Sequence, residues 1–169
     1  MGGNAIGGSA RTFDSQYCVI RDVINEIASF VKEGYKIVIT HGNDPQIGDA
    51  LLRNESARKW VPPLPLYACV AGTQGVLGTM IQMALLDILG RDSKVVTLIT
   101  KVTVSEKDPT FKKPTKPIGP TLGKEEISKI KKTEPSASFM DVKSGKYRRI
   151  VPSPEPISIL EFSVIKKLI

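Results

Sequence analysis

The sequence predicts an α/β fold built on a mostly parallel open sheet. Segments of helical period alternate with short, β-branched, apolar segments, and strands that are apolar along their whole length are typical of a sheet covered by helices on both faces. The composition, 41% hydrophobic and 24% charged over 169 residues, is that of a globular domain with a core. Together these observations predict one α/β lobe with a smaller excursion from it.

The main lobe is predicted from apolar periodicity and from the residues that start and stop helices. Asp14 and Ser15 can cap the first helix, and Gly34 and Gly90 follow predicted helix ends. The predicted elements are a helix at 15–33, a buried strand at 35–40, a helix from Ile47 to about Arg58, a loop at 60–66, an apolar helix at 75–89 and a strand at 94–104.

After residue 104 the amino-acid composition of the chain changes. Residues 105–149 are rich in proline and lysine and contain one predicted short helix, at 124–132. We therefore expect three parts: an N-terminal α/β lobe at 1–104, a protruding flap subdomain at 105–149, and a return to the lobe at 150–169, where a helix is predicted from Ile159 to Ile169.

Bulk properties narrow the function classes. No stretch approaches the roughly 18 apolar residues that a membrane span requires, and the first residues lack a basic and apolar leader, so we expect a cytoplasmic protein. Cys18 and Cys69 lack metal-type spacing and are expected to be buried thiols.

The positive charge lies in the last part of the chain. Residues 1–100 carry 9 basic and 9 acidic side chains, whereas residues 101–169 carry 15 and 8, which accounts for the net charge of +7. Few aromatic residues accompany these charges, so a solvated lysine-rich surface is favoured over a nucleic-acid site.

Two glycine and asparagine loops indicate an anion site. Gly2-Gly3-Asn4 opens the chain, and Gly42-Asn43 directly follows the predicted strand at 35–40. Glycine lets a ligand approach the backbone, and the carboxyl end of a parallel strand faces the ligand crevice. His41, the only histidine, is expected to be a satisfied polar group at the edge of this crevice, although a metal or general-base role is conceivable.

Several motifs together resemble one family. In chain order they are Gly2-Gly3-Asn4-Ala5, Thr40-His41-Gly42-Asn43, Thr73-Gln74-Gly75, Asp108-Pro109-Thr110-Phe111, Pro114-Thr115-Lys116-Pro117-Ile118-Gly119-Pro120 and Tyr147-Arg148-Arg149-Ile150-Val151-Pro152-Ser153-Pro154. Their order and spacing resemble those of carbamate kinases, which belong to the amino acid kinase fold. The resemblance covers the whole chain but about half of the family's usual length.

The resemblance implies a three-layer sandwich and a phosphotransferase. The expected reaction interconverts ATP and carbamate with ADP and carbamoyl phosphate, and Mg²⁺ accompanies the nucleotide. Gly2, Gly3, Asn4, Gly42 and Asn43 would bind the substrate and the transferred phosphoryl group, and Lys116 would be the catalytic cation. The implied partners are a second copy, as a homodimer, or a complementary C-terminal half.

The sequence also departs from the family pattern. Asp44 stands where relatives usually carry glycine, and its negative charge next to a candidate anion site predicts weaker anion binding. The family's first strand and its nucleotide-binding C-terminal half have no counterpart in this sequence, so we expect the chain alone to be inactive. Two alternatives stay open: a non-catalytic anion-binding or interaction module, and another acid kinase of the same fold.

Overall fold

The computed structural model describes residues 1–6 and 12–169, which form two compact units. The first unit comprises residues 1–43, 70–100 and 161–169, and the second comprises residues 44–69 and 101–160. Each is described separately below. The predicted division of the chain at residues 104 and 149 stays a prediction. Gly7 and Gly8, the end of the glycine-rich opening stretch, lie outside the described residues.

The helices, in chain order, are α1 (Phe13–Lys32), α2 (Asp44–Ala57), α3 (Leu66–Leu89), α4 (Lys124–Thr133) and α5 (Phe162–Leu168), with short 3-10 turns at Asn4–Ile6 and Pro109–Phe111. The strands are β1 (Val102–Val104), β2 (Lys116–Leu122), β3 (Ser138–Lys143), β4 (Lys146–Val151) and β5 (Pro156–Ile159). β1 and β5 form one antiparallel pair, and β2, β4 and β3 form a second antiparallel sheet in that order.

Helix α1 confirms the helix expected at 15–33 but begins with a different cap. Thr12, rather than Asp14 or Ser15, is the N-cap: its hydroxyl accepts a hydrogen bond from the backbone N–H of Ser15, and the Ser15 hydroxyl accepts one from the backbone N–H of Thr12. This reciprocal arrangement satisfies two N–H groups that a helix start would otherwise leave unpaired.

The core of the first unit lies between α1 and α3. Ile20 and Ile24 of α1 and Leu77 of α3 are fully buried, and Met80 and Ala84 continue the same buried face. Ile6 completes this cluster from the 3-10 turn, where its carbonyl oxygen accepts a hydrogen bond from the Gln16 amide. The apolar helical spacing of both helices therefore becomes one shared core.

Helix α3 begins nine residues before the predicted helix at 75–89. Its N-terminal half contains Gly72, Gly75 and Gly78, which lower helix propensity, and no element is predicted from the sequence for residues 67–74. Close packing explains Gly78, because a Cβ at that position would lie only 3.1 Å from the Thr97 hydroxyl oxygen and closer still to its methyl carbon. Gln74 and Gln82 reinforce the contact through hydrogen bonds to the backbone of Thr100 and Val95.

The expected parallel sheet is not observed in the described part of the chain. Residues 35–40 are not a strand, and of the strand predicted at 94–104 only Val102–Val104 is formed. β-branched residues favour a pleated backbone, but a strand also needs a neighbour that exchanges backbone hydrogen bonds, and no such ladder joins these segments among the described residues.

Helices cover only one side of these two segments. Ile39 and Val95 pack against the α1–α3 core, while the adjacent Val38 and Val96 are 53% and 61% exposed. The expectation of a sheet covered on both faces is therefore wrong for the described residues.

The second unit is organised around the contact of α2 with β2. At this contact Gly48 of α2 faces Gly119 of β2, where a Cβ on Gly48 would lie 2.7 Å from the backbone nitrogen of Gly119 and closer still to its Cα. Gly119 has φ +71° and lies at a register shift in β2, a conformation that glycine adopts without strain. The Arg148 side chain of β4 donates to the Gly119 carbonyl oxygen at 3.0 Å, which fixes this irregular part of the sheet.

The remaining boundaries differ modestly from those predicted. Helix α2 begins at Asp44, before Pro45 rather than after it, which agrees with the preference of proline for the first turn of a helix. Helix α4 confirms the helix expected at 124–132, whereas α5 is shorter than the predicted 159–169. Cys69 is buried as expected, but Cys18 is exposed.

Helix α3 corrects one expectation about membranes. By length and composition alone it is apolar enough to cross a membrane, although the sequence was expected to contain no such segment. Its face toward α1 forms the buried core described above, which is the pattern of a core helix in a folded domain.

Candidate functional site

The two glycine-containing loops of the first unit lie next to each other. The Met1 ammonium group donates to the Thr40 carbonyl oxygen, and the Gly42 backbone N–H donates to the Met1 carbonyl oxygen at 3.2 Å. This alternation of donor and acceptor around one residue is the hydrogen-bond sense of parallel neighbours. The structure therefore brings the start of the chain beside the loop at 40–43, as expected from the sequence.

The glycines of these loops are not required by packing within the chain. A Cβ added at Gly2, Gly3 or Gly42 would meet no atom within 4 Å, and none of the three has a positive φ. Neither sterics nor backbone strain within the described residues therefore explains glycine at these positions. Open backbone of this kind can admit a ligand close to its N–H groups. Asn4 begins the 3-10 turn that follows them.

The side-chain amide of Asn43 has a fixed orientation. Its Nδ2 donates to the Thr73 hydroxyl oxygen at 2.8 Å, and that hydroxyl donates in turn to the Val70 carbonyl oxygen at 2.8 Å. The Thr73 hydroxyl donates its one hydrogen to the Val70 carbonyl oxygen, so it can only accept a hydrogen bond from Asn43. The atom of the Asn43 amide that faces Thr73 is therefore the NH₂ nitrogen. The Asn43 Oδ1 atom is then the end of the amide that can accept from a ligand.

Thr73 is a positioning residue that sequence reasoning missed. It belongs to the Thr73-Gln74-Gly75 motif, and a polar residue in a strongly apolar helix is the sequence signal that marks it. Only 7% of Thr73 is exposed, so water competes little for its hydroxyl and the hydrogen bond can orient the Asn43 amide.

The Thr73→Val variant is expected to lower the free energy of unfolding by about 1 kcal/mol, because it keeps the shape of the side chain but leaves the half-buried Asn43 amide without its acceptor. Urea denaturation measures the change. Thr79→Val on the same helix is the matched control, since the exposed Thr79 hydroxyl donates only along the helix, to the Gly75 carbonyl oxygen. An equal effect in both variants would contradict the positioning role.

His41 makes a local hydrogen bond. Its Nδ1 lies 2.9 Å from the Gly42 carbonyl oxygen, so an Nδ1–H tautomer donates to the neighbouring backbone. This agrees with the expectation of a satisfied polar group. Among the described residues, no group of three or more His, Cys, Asp or Glu side chains is arranged to hold a metal ion.

Lys116 lies in the second unit, where it is the first residue of β2 and pairs across the sheet with Val151 of β4. Its Nζ lies 3.1 Å from Asp44 Oδ1, and the two side chains are 43% and 60% exposed. The predicted cation is therefore held on a paired strand and has a carboxylate partner. Sequence reasoning singled out both residues but did not predict that they would pair.

The two arginines that follow Tyr147 have structural partners. Arg148 bonds the Gly119 carbonyl oxygen, and Arg149 forms an ion pair with Glu134, which also lies 4.0 Å from the Arg58 guanidinium. Asp108 similarly closes a turn: its carboxylate accepts from the hydroxyl and backbone N–H of Thr110 and from the backbone N–H of Glu155. These hydrogen bonds hold its pKa below the ordinary value.

Comparison with models of known protein families shows which family this chain belongs to. A sequence model of the amino acid kinase family matches residues 1–131. The chain belongs to the amino acid kinase family.

Within the amino acid kinase family, the chain is most informatively compared with carbamate kinases. It is 38% identical to the carbamate kinase of Oenococcus oeni over 173 aligned positions, which cover 100% of this chain and 55% of that protein. It is 40% identical to carbamate kinase 3 of Staphylococcus aureus (strain USA300), again over 100% of this chain and 55% of that protein. The chain thus spans about half the length of the curated relatives that it matches.

A solved structure gives the same relationship in three dimensions. The carbamate kinase of Giardia lamblia bound to AMP-PNP superposes with a TM-score of 0.84 at 34% identity, over 99% of this chain and 54% of that one. The expected resemblance to the carbamate kinases is confirmed.

Proposed function

We propose that this chain carries the acceptor-binding part of a carbamate kinase, a phosphotransferase that interconverts ATP and carbamate with ADP and carbamoyl phosphate. The observation that carries this proposal is the 38% identity to a carbamate kinase along the whole of this chain, with the glycine loops and the Lys116 segment included in the match. Phosphoryl transfer asks a protein mainly to position two reactants and to stabilise charge, and the described residues are suited to both.

Backbone groups supply the first part of the site. In the proposal, the open backbone at Gly2 and Gly3 donates N–H groups to the transferred phosphoryl group and to the carboxylate of carbamate, and Asn4 contributes from the start of its turn. The Gly42 N–H already donates to the Met1 carbonyl oxygen, so Gly42 contributes by letting the ligand approach its uncovered backbone. Such donors do not have to reorganise as charge develops, which is why fixed N–H groups stabilise transition states effectively.

Asn43 supplies selectivity for carbamate. Because Thr73 fixes the amide NH₂, the Asn43 Oδ1 atom accepts a hydrogen bond from the amino group of carbamate in the proposed complex. An acyl acceptor such as acetate has a methyl group there and would leave this oxygen unpaired. A site that loses a hydrogen bond in this way rejects the analogue strongly. This contact favours carbamate over the acceptors of other acid kinases.

Lys116 supplies a positive charge. The proposal assigns its ammonium group to the oxygens of the transferred phosphoryl group, whose charge spreads outward in the transition state. Its position at the start of a paired strand limits the backbone freedom that would otherwise oppose such placement.

In the proposal, the nucleotide and its Mg²⁺ bind to the part of a carbamate kinase that this chain does not match. The Giardia lamblia relative binds AMP-PNP, and this chain matches 54% of that protein. The described residues do not gather a set of metal ligands, and Mg²⁺ is commonly held by nucleotide phosphates with one or two carboxylates. We therefore propose that the chain pairs with a complementary C-terminal half, in a cytoplasmic enzyme that forms a homodimer, and that the chain alone does not turn over.

Binding of carbamoyl phosphate to the chain itself tests the acceptor assignment. In an amide NMR titration at low temperature, the signals of Gly3, Gly42 and Asn43 are expected to shift in a saturable manner. The Gly72 amide, in the interior of α3, is the internal control. Acetyl phosphate should bind about tenfold or more weakly, since it cannot donate to Asn43. Equal binding of the two compounds would contradict the carbamate assignment, and unchanged loop signals would contradict the site.

A further inference from the structure

The ion pair between Asp44 and Lys116 gives the candidate cation a built-in anionic partner. The carboxylate oxygen lies 3.1 Å from the ammonium nitrogen, which is direct contact. Asp44 is the first residue of α2 and Lys116 the first residue of β2, and these two elements pack at the Gly48–Gly119 contact. The two side chains therefore lie at the starts of two elements whose backbones are in close contact.

We propose that Asp44 is an affinity-setting residue, whose carboxylate occupies the Lys116 ammonium group when no substrate is bound and competes with the anionic substrate for it. This inference deepens the proposed function and rests on it for the identity of the substrate. It assigns a role to Asp44 that the binding loops and Lys116 do not have: Asp44 determines how much of the Lys116 charge is available to an incoming phosphoryl group.

The magnitude of the interaction suits such a role. Both side chains are about half exposed, and an ion pair in that environment is weak, so a phosphate dianion can displace a single carboxylate from the lysine. After displacement the Asp44 carboxylate remains close to the bound anion and repels it. Both effects lower anion affinity, and both disappear when the carboxylate is removed.

The Asp44→Asn variant tests the pair directly. In a proton–nitrogen NMR spectrum of lysine ammonium groups, the hydrogens of Lys116 are expected to exchange with water at least twofold more slowly in the unaltered chain than in D44N. Inorganic phosphate, used as the probe, should slow this exchange in D44N at a concentration about twofold to fivefold lower than in the unaltered chain, which is the range for an exposed pair.

Asp14→Asn is the matched control, because Asp14 also lies in the first turn of a helix. It should leave both the exchange and the phosphate titration unchanged. If the Lys116 hydrogens exchange at the same rate in D44N and in the unaltered chain, the pair does not form in solution and the proposal is overturned. If exchange differs but phosphate acts at the same concentration in both, the affinity-setting role is overturned.

These outcomes are separate from those of the carbamoyl phosphate titration. The proposed function fails if the loop amides of the first unit do not respond to carbamoyl phosphate, whatever Lys116 does. The Asp44 proposal fails on the exchange and phosphate readouts of Lys116, whatever the loop amides do.

Discussion

Replacing Lys116 with methionine is expected to reduce ATP formation about 10²- to 10³-fold in an assembly of this chain with the missing part of a carbamate kinase. The expectation follows from the loss of one charged donor to the transferred phosphoryl group, and removal of a single preorganised donor typically costs this much in kcat. The loss should fall mainly on kcat, because the charge that Lys116 stabilises grows as the transition state is reached.

The assay uses the chain coexpressed with the part of the Oenococcus oeni carbamate kinase that lies outside the match, and measures ATP from ADP and carbamoyl phosphate. Lys113→Met is the matched control, since Lys113 is an exposed lysine three residues earlier and should tolerate the change within about twofold. Equal losses of ATP formation in the two variants would contradict a specific catalytic role for Lys116. Lys116→Arg separates charge from geometry, because arginine keeps the charge but not the compact ammonium group.

The Gly48→Ala variant is expected to lose about 3 kcal/mol or more of unfolding free energy. The added methyl group would collide with the backbone of Gly119 rather than with a flexible side chain, so relief requires α2 to move away from β2. Because Asp44 and Lys116 lie on the same two elements, this movement should also separate that ion pair.

Gly72→Ala provides the control for Gly48→Ala. Gly72 is also helical, but a Cβ there meets no atom within 4 Å, so the substitution should be neutral or stabilising by up to about 1 kcal/mol. Urea denaturation of the two variants compares them. Similar stability of both variants would contradict the close α2–β2 contact.

The sequence predicted the local features of this chain well. The helical spacing in α1, the proline loop predicted at 60–66 and the glycine at the end of α3 depend on neighbouring residues. All three are present in the structure, with the loop ending at residue 65 because α3 begins at Leu66. The family resemblance, carried by motifs such as Pro114–Pro120 and Tyr147–Pro154, is confirmed.

Features that depend on distant residues were predicted less well. The strands at 35–40 and 94–104 were inferred from β-branched residues, but their formation depends on neighbouring strands. Residues 67–74 were not predicted to be helical, and Gly72 lowers the local helix propensity there, yet these residues form the first turns of α3.

The candidate site shows the same division. The glycine loops and Lys116 were visible as motifs, and their assignment as binding and catalytic residues stays a prediction. The Thr73–Asn43 hydrogen bond and the Asp44–Lys116 pair join residues far apart in the chain, so they could be identified only from the three-dimensional structure.

Formation of ATP from ADP and carbamoyl phosphate by the assembled chains tests the central claim most directly. We predict carbamoyl phosphate-dependent ATP formation when this chain and the complementary Oenococcus oeni segment elute together, and none above background from either part alone. A coeluting complex that binds ADP but forms no ATP would contradict the assignment of this chain as the acceptor-binding part of a carbamate kinase.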